Sequence, residues 1–150
     1  MQNRIAYHIV TSLHDSRTSS RMIEYRARER RFFGTKPYQE VYPLTFEEEV
    51  LIAQTVRDLV QELDWRIAAF NCCRDHIHLL VVCEEEDVTK IMHRLKGRTA
   101  RVCNAHRAAK GINPLGGADY YNPTILKDKS TPFWAQKFHR KPIRSLEQYW

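Results

Sequence analysis

Polar and apolar positions alternate along His76-Ile77-His78-Leu79-Leu80-Val81-Val82, so a strand there sends Ile77, Leu79 and Val81 to one side and His76, His78 and Leu80 to the other. Two further strands are predicted. Ile5-Ala6-Tyr7-His8-Ile9-Val10-Thr11-Ser12-Leu13 is rich in β-branched and aromatic residues, as is Trp65-Arg66-Ile67-Ala68-Ala69-Phe70-Asn71-Cys72. A short turn through Arg74-Asp75 returns the second of these into the histidine strand as a hairpin. Thr45 followed by Glu48 is a capping box, and Val50, Ala53, Val56, Leu59, Val60 and Leu63 then recur at helical spacing. Past the acidic run Glu84-Glu85-Glu86-Asp87, a second helix carries Val88, Ile91, Met92, Leu95, Thr99, Val102 and Cys103 on one stripe. Residues 111–132 turn to Gly, Pro, Asn and Ser and read as a loop. Phe133-Trp134-Ala135-Gln136-Lys137-Phe138 is expected as a strand or sheet-edge segment. Ser145 with Gln148 forms a second capping box, which starts a helix at Leu146.

The resulting order β, α, ββ, α, β, with strands largely antiparallel, predicts an α+β ferredoxin-like sandwich with helices on one face of the sheet and the other face open. At 150 residues and 17.8 kDa, residues 1–150 are expected to form one domain able to bury a core without staples. Residues 17–42 show no period and carry seven Lys or Arg. That excursion is either a surface loop or a contact for a nucleic acid backbone.

Hydrophobic residues make up 43% and charged residues 28%, the balance of an ordinary globular protein. No apolar run approaches the length of a membrane span, and Met1-Gln2-Asn3-Arg4-Ile5 opens no signal-peptide core. A cytoplasmic, nucleoid-associated location is therefore expected. Cys72, Cys73, Cys83 and Cys103 show no spaced framework and read as reduced core thiols. Adjacent Cys72 and Cys73 chelate one tetrahedral ion poorly, which argues against a structural zinc with the histidines. The net charge is +6 and the sequence pI about 9.3. The excess is uneven, since residues 94–144 hold twelve Lys or Arg against two acids, Asp119 and Asp128. Such an asymmetry suits a polyanion partner, although a solvated basic surface has the same composition.

Candidate chemistry starts from His76 and His78, which a strand sets side by side as two imidazole ligands for one metal ion. Asp75, next in the chain, faces away from them in a regular strand and reads first as a turn residue. Lys96, Arg98 and Arg101 on the second helix are candidate phosphate contacts, with Arg140 and Lys141 near the C-terminus. Trp134 and Phe138 read as core rather than as stacking platforms. Nothing in the local pattern marks His8 or His14 as a ligand.

The opening Tyr7-His8-Ile9-Val10-Thr11, the Asp75-His76-Ile77-His78-Leu79-Leu80 strand, the Leu95-Lys96-Gly97 helix and the Ile143-Arg144-Ser145 segment, in this order and spacing, resemble the HUH single-tyrosine transposases. The likeness is strongest to the branch associated with repetitive extragenic palindromes, and it covers most of the chain. The resemblance implies a nuclease that grips hairpin DNA and cuts single-stranded DNA beside it. A tyrosine attacks the scissile phosphate to form a 5′-phosphotyrosine link, while the histidine pair and a third polar ligand hold Mg²⁺ or Mn²⁺. It also implies a homodimer.

Aligning Ile143-Arg144-Ser145 with the family sets the nucleophile roughly one to two helical turns beyond Trp150. Within the chain, Tyr149 lies on that helix and is the candidate nucleophile, although its offset of several residues turns it to another face. Tyr120 and Tyr121 lie in a loop. The sequence thus leaves three readings: a strand-cutting and rejoining enzyme; a truncated or domesticated module that binds hairpin nucleic acid without cleavage; and a small metal enzyme unrelated to nucleic acid.

Overall fold

The computed structural model describes residues 4–13, 43–111, 133–135 and 137–144. Six elements follow in the order β1 (Ile5–Ser12), α1 (Phe46–Leu63), β2 (Arg66–Cys72), β3 (His76–Cys83), α2 (Glu85–Ala109) and β4 (His139–Ile143). The strands form one antiparallel sheet in the order β2-β3-β1-β4, which places the histidine strand second from one edge. The α+β arrangement predicted from the period-two and helical patterns is the one observed. The expected helix at Leu146, the excursion at residues 17–42, Tyr120, Tyr121 and Tyr149 lie outside the described residues.

Each strand sorts its side chains by parity. Tyr7, Ile9, Ile77, Leu79 and Val81 are buried beneath the helices, with Ile52, Leu59, Val88, Met92 and Leu95 completing the core. The alternate positions, His8, Val10, His76, His78 and Leu80, are only partly buried and define the second face.

Thr45 begins α1 as the capping box predicts, its hydroxyl accepting from the Glu48 N–H at 3.2 Å while Glu48 Oε2 accepts from the Thr45 N–H at 2.9 Å. Asp64 ends the helix in the left-handed region, φ 52°, where a short polar side chain is tolerated. The buried stripe of α1 differs from the expected one. Glu48, Ile52, Thr55, Val56 and Leu59 face inward, whereas Val50 and Ala53 are exposed. The rotation admits a carboxylate to the core because Arg107 of α2 meets it there, its Nη2 donating to Glu48 Oε2 at 3.2 Å and its Nε to Oε1. Glu48 is fully buried, so this pair holds the two helices together through a desolvated charge.

The last strand also differs from expectation. Within Phe133-Trp134-Ala135 the sheet pairing is a single bridge from Trp134 to Leu13, and the strand proper is His139–Ile143. Trp134 is core, donating its indole N–H to Thr99 Oγ1 at 2.8 Å. Charge and Pro142 hide the strand in the sequence, and both are compatible with an edge position.

A candidate metal centre on the open sheet face

The β2–β3 turn sets the geometry. Cys73 N–H donates to the His76 carbonyl at 2.8 Å, closing a two-residue turn over Arg74 and Asp75. Leu44 N–H bonds the Arg74 carbonyl at 2.7 Å and Leu13 N–H the Asp75 carbonyl at 2.8 Å, so the turn is fixed from two neighbouring segments. β3 leaves this turn with His76 as its first residue. The register sets Ser12 opposite His76, Val10 opposite His78 and His8 opposite Leu80.

Three imidazoles and a carboxylate then form a chain. Asp75 Oδ1 lies 2.6 Å from His76 Nδ1, His76 Nε2 lies 3.0 Å from His78 Nε2, and His78 Nδ1 lies 3.0 Å from His8 Nε2. The carboxylate accepts, so His76 carries its proton on Nδ1 and keeps the Nε2 lone pair. His8 Nε2 in turn can accept from His78 Nδ1–H, which leaves His78 Nε2 with its lone pair as well. In this tautomer the two Nε2 lone pairs converge on one point, where a cation can lie between them; with its proton on Nε2 instead, His78 donates to His76. The His8 and His78 rings stack with 9° between planes, and His76 meets His78 edge-on at 74°. Burial, then the neighbouring His76 and His8, lower the pKa of His78 from the usual imidazole value, which favours its neutral form.

This donor set fits a divalent ion. Metal–nitrogen bonds of roughly 2.0–2.1 Å set two ligating nitrogens about 2.8–3.4 Å apart for angles between square and tetrahedral. Asp75 and His8 supply the outer hydrogen bonds that orient metal-binding imidazoles. Cys73 joins the group, its Sγ and the two histidine nitrogens all lying within 4.8 Å of one another.

The structure changes three assignments. Asp75 is a turn residue, but it also bonds the adjacent His76 instead of facing away from it. His8 belongs to the histidine cluster, a fact written in the long-range β1–β3 register and not in its local sequence. Cys73 lies in the turn rather than in the core, half-exposed, whereas Cys72 packs against the core and Cys83 and Cys103 are buried.

The five cationic candidates separate by face. The β1–β4 register sets Lys141 opposite His8, on the histidine face. Beside it runs a cavity of about 360 Å³ lined by His8, His78, Ala69, Leu80, Lys141 and Ile143. Arg140 pairs with Ile9, on the helix side, with its Nη2 3.8 Å from Glu85. Lys96, Arg98 and Arg101 all sit on α2, in the helical layer. Lys96 donates to the Ala135 carbonyl at 2.6 Å and lies over the Phe138 ring, and burial lowers its pKa. Arg98 pairs with Glu62 at 2.6 Å, and Arg101 is exposed. A cavity of about 380 Å³ between Trp65, Asp87 and Arg94 lies away from the histidines.

A four-stranded antiparallel sheet with two helices on one face is the architecture of the HUH transposase structures. Residues 2–123 match the family model described as "Transposase IS200 like", and the chain belongs to that family. No curated protein matches it in sequence. Among solved structures, it is similar to a REP-associated tyrosine transposase bound to a REP hairpin, at 10% identity and TM-score 0.52, over 99% of this chain and 61% of that one. A candidate transposase from Deinococcus radiodurans R1 matches at 15% identity and TM-score 0.52, over 99% of this chain and 86% of that one. The chain spans about three fifths of the length of the first. At these identities the likeness is one of fold. Among the described residues, no helix is long and apolar enough to cross a membrane.

Proposed function

We propose that the chain is a metal-dependent endonuclease and strand transferase for single-stranded DNA, acting beside a DNA hairpin as a homodimer. The observation that carries this reading is the convergence of His76 Nε2 and His78 Nε2 on the open face, each ring fixed from behind by Asp75 or His8. His76 and His78 would hold Mg²⁺ or Mn²⁺, which when bound supplies a Lewis acid for a phosphate oxygen. Lys141 would draw the DNA backbone toward the histidines, adding an electrostatic contact that carries no base sequence. Arg140, Lys96, Arg98 and Arg101 would act on flanking DNA along the edge strand and the helical layer.

In this reading the nucleophile is Tyr149. Its phenolic oxygen gives its proton to solvent and bonds to phosphorus while the bond from phosphorus to the 3′-oxygen breaks, leaving a 5′-phosphotyrosine and a 3′-oxygen that takes up a proton. The phosphotyrosine keeps the phosphoester for rejoining to a second 3′-OH. Family membership and a solved relative bound to a hairpin support the substrate class.

The test is to incubate the protein with labelled hairpin-bearing single-stranded DNA and Mn²⁺ and resolve the products under denaturing conditions. A protein–DNA adduct that disappears in Tyr149→Phe and in His78→Ala is expected. Salt-sensitive binding with no adduct under any divalent ion would replace this reading with a hairpin-binding module. Negligible affinity for nucleic acid at low salt would overturn both.

A further inference from the structure

Cys73 stands directly across the two-residue turn from His76, joined to it by the bond from Cys73 N–H to the His76 carbonyl. Residues paired across a hairpin project to the same side of the sheet, which brings the Cys73 sulfur to the histidine face. Strand alternation sends the preceding Cys72 the other way, and Cys72 does pack against the core. Asn71, which pairs with His78 in the register, directs its amide Nδ2 at Cys73 Sγ from 3.6 Å. The sulfur and the two ligating nitrogens lie within 4.8 Å of one another.

We propose that Cys73, His76 and His78 together form a three-ligand centre that selects a thiophilic divalent ion such as Zn²⁺ over Mg²⁺. This rests on the reading of His76 and His78 as a metal pair and adds to it the ligand that sets ion preference. The chemistry follows from the donors. Two neutral imidazoles and one thiolate are borderline-to-soft ligands, well matched to Zn²⁺ or Co²⁺ and poorly matched to hard, strongly hydrated Mg²⁺. On binding, the Cys73 thiol gives its proton to solvent and its sulfur lone pair to the ion. Three protein ligands leave the ion an open position, as in catalytic rather than structural zinc sites. The spacing Cys73-x-x-His76-x-His78 works because the turn folds the cysteine back over the strand, whereas a continuous strand would set it three residues away on the opposite face.

The test is a Co²⁺ titration of the full chain, followed in the near-ultraviolet for sulfur-to-cobalt charge transfer and in the visible for the ligand-field bands, with Zn²⁺ and Mn²⁺ competing. A charge-transfer band is expected that is lost in Cys73→Ser and kept in Cys72→Ser. The ratio of Zn²⁺ to Mn²⁺ affinity should fall 10-fold or more in Cys73→Ser. No charge-transfer band, a band lost in Cys72→Ser instead, or an unchanged ratio in Cys73→Ser would overturn the proposal. His76→Ala separates the two levels. If it abolishes Mn²⁺ binding while Cys73→Ser leaves the ratio unchanged, the histidine pair stands and the cysteine ligand falls. If His76→Ala changes neither ion's affinity, the metal reading falls with it.

Discussion

The two faces of one sheet use the same strands and opposite rules. Beneath the helices, Ile77, Leu79 and Val81 are at most 1% exposed, and the charges there, Glu48 and Arg107, meet each other. On the other face the alternate residues of the same strand, His76, His78 and Leu80, are only partly buried, and imidazole nitrogens point at one another. Glu48 and Arg107 thus have partners within the protein and serve cohesion. The histidine face instead brings His76 Nε2 and His78 Nε2 to 3.0 Å of each other, where a bound cation could share them. A shift of one residue in the β1–β3 register would exchange the two faces, so the packing that stabilises the fold also aims the site.

The comparison breaks most severely at Glu48. Glu48→Ala removes the carboxylate that Arg107 meets in the core and is expected to cost about 3–5 kcal/mol in chemical denaturation, whereas replacing both residues by apolar ones of similar volume should cost far less. On the open face, His78→Ala should leave the denaturation midpoint nearly unchanged while lowering divalent-ion affinity on the order of 100-fold or more, measured by calorimetry. Equal loss of stability in that variant would mean that the histidines belong to the core. Asp75→Ala and His8→Ala remove one orienting bond each. Each is expected to weaken the same affinity by roughly 10- to 100-fold, and the two losses should combine less than additively if both act by aligning the same pair. The smallest effect distinguishes the cations. Lys141→Ala should reduce the salt dependence of single-stranded DNA binding by about 0.7 in the log–log slope. Arg98→Ala, which breaks an exposed pair with Glu62, should change stability by at most about 1 kcal/mol.

Local periodicity makes most of the architecture legible in the sequence. The capping box at Thr45, the stripe from Val88 to Cys103 and the alternation through the histidine strand each state an element, a boundary or a face. Where several stripes were compatible with one helix, the choice depended on a partner far along the chain. Val50 and Ala53 look as buriable as Ile52 and Thr55 until Arg107 is placed opposite Glu48. His139–Ile143 escaped notice because an edge strand tolerates proline and charge. In the site, the His76 and His78 pair was visible because both ligands share one strand. Asp75, His8 and Cys73 were not, because turn closure and inter-strand register put them there, and neither leaves a mark in a window of a few residues.

In the proposed metal centre, Asp75 and His8 fix the two imidazoles so that both Nε2 atoms offer lone pairs to one ion. Nitrogen-15 spectra of the histidine side chains, recorded before and after addition of Mg²⁺ or Zn²⁺, test it directly. His76 and His78 are both expected as the Nδ1–H form, with the two Nε2 resonances moving together when the ion is added. A proton on either Nε2 in the neutral rings, or an ion that binds without moving them, would contradict this arrangement.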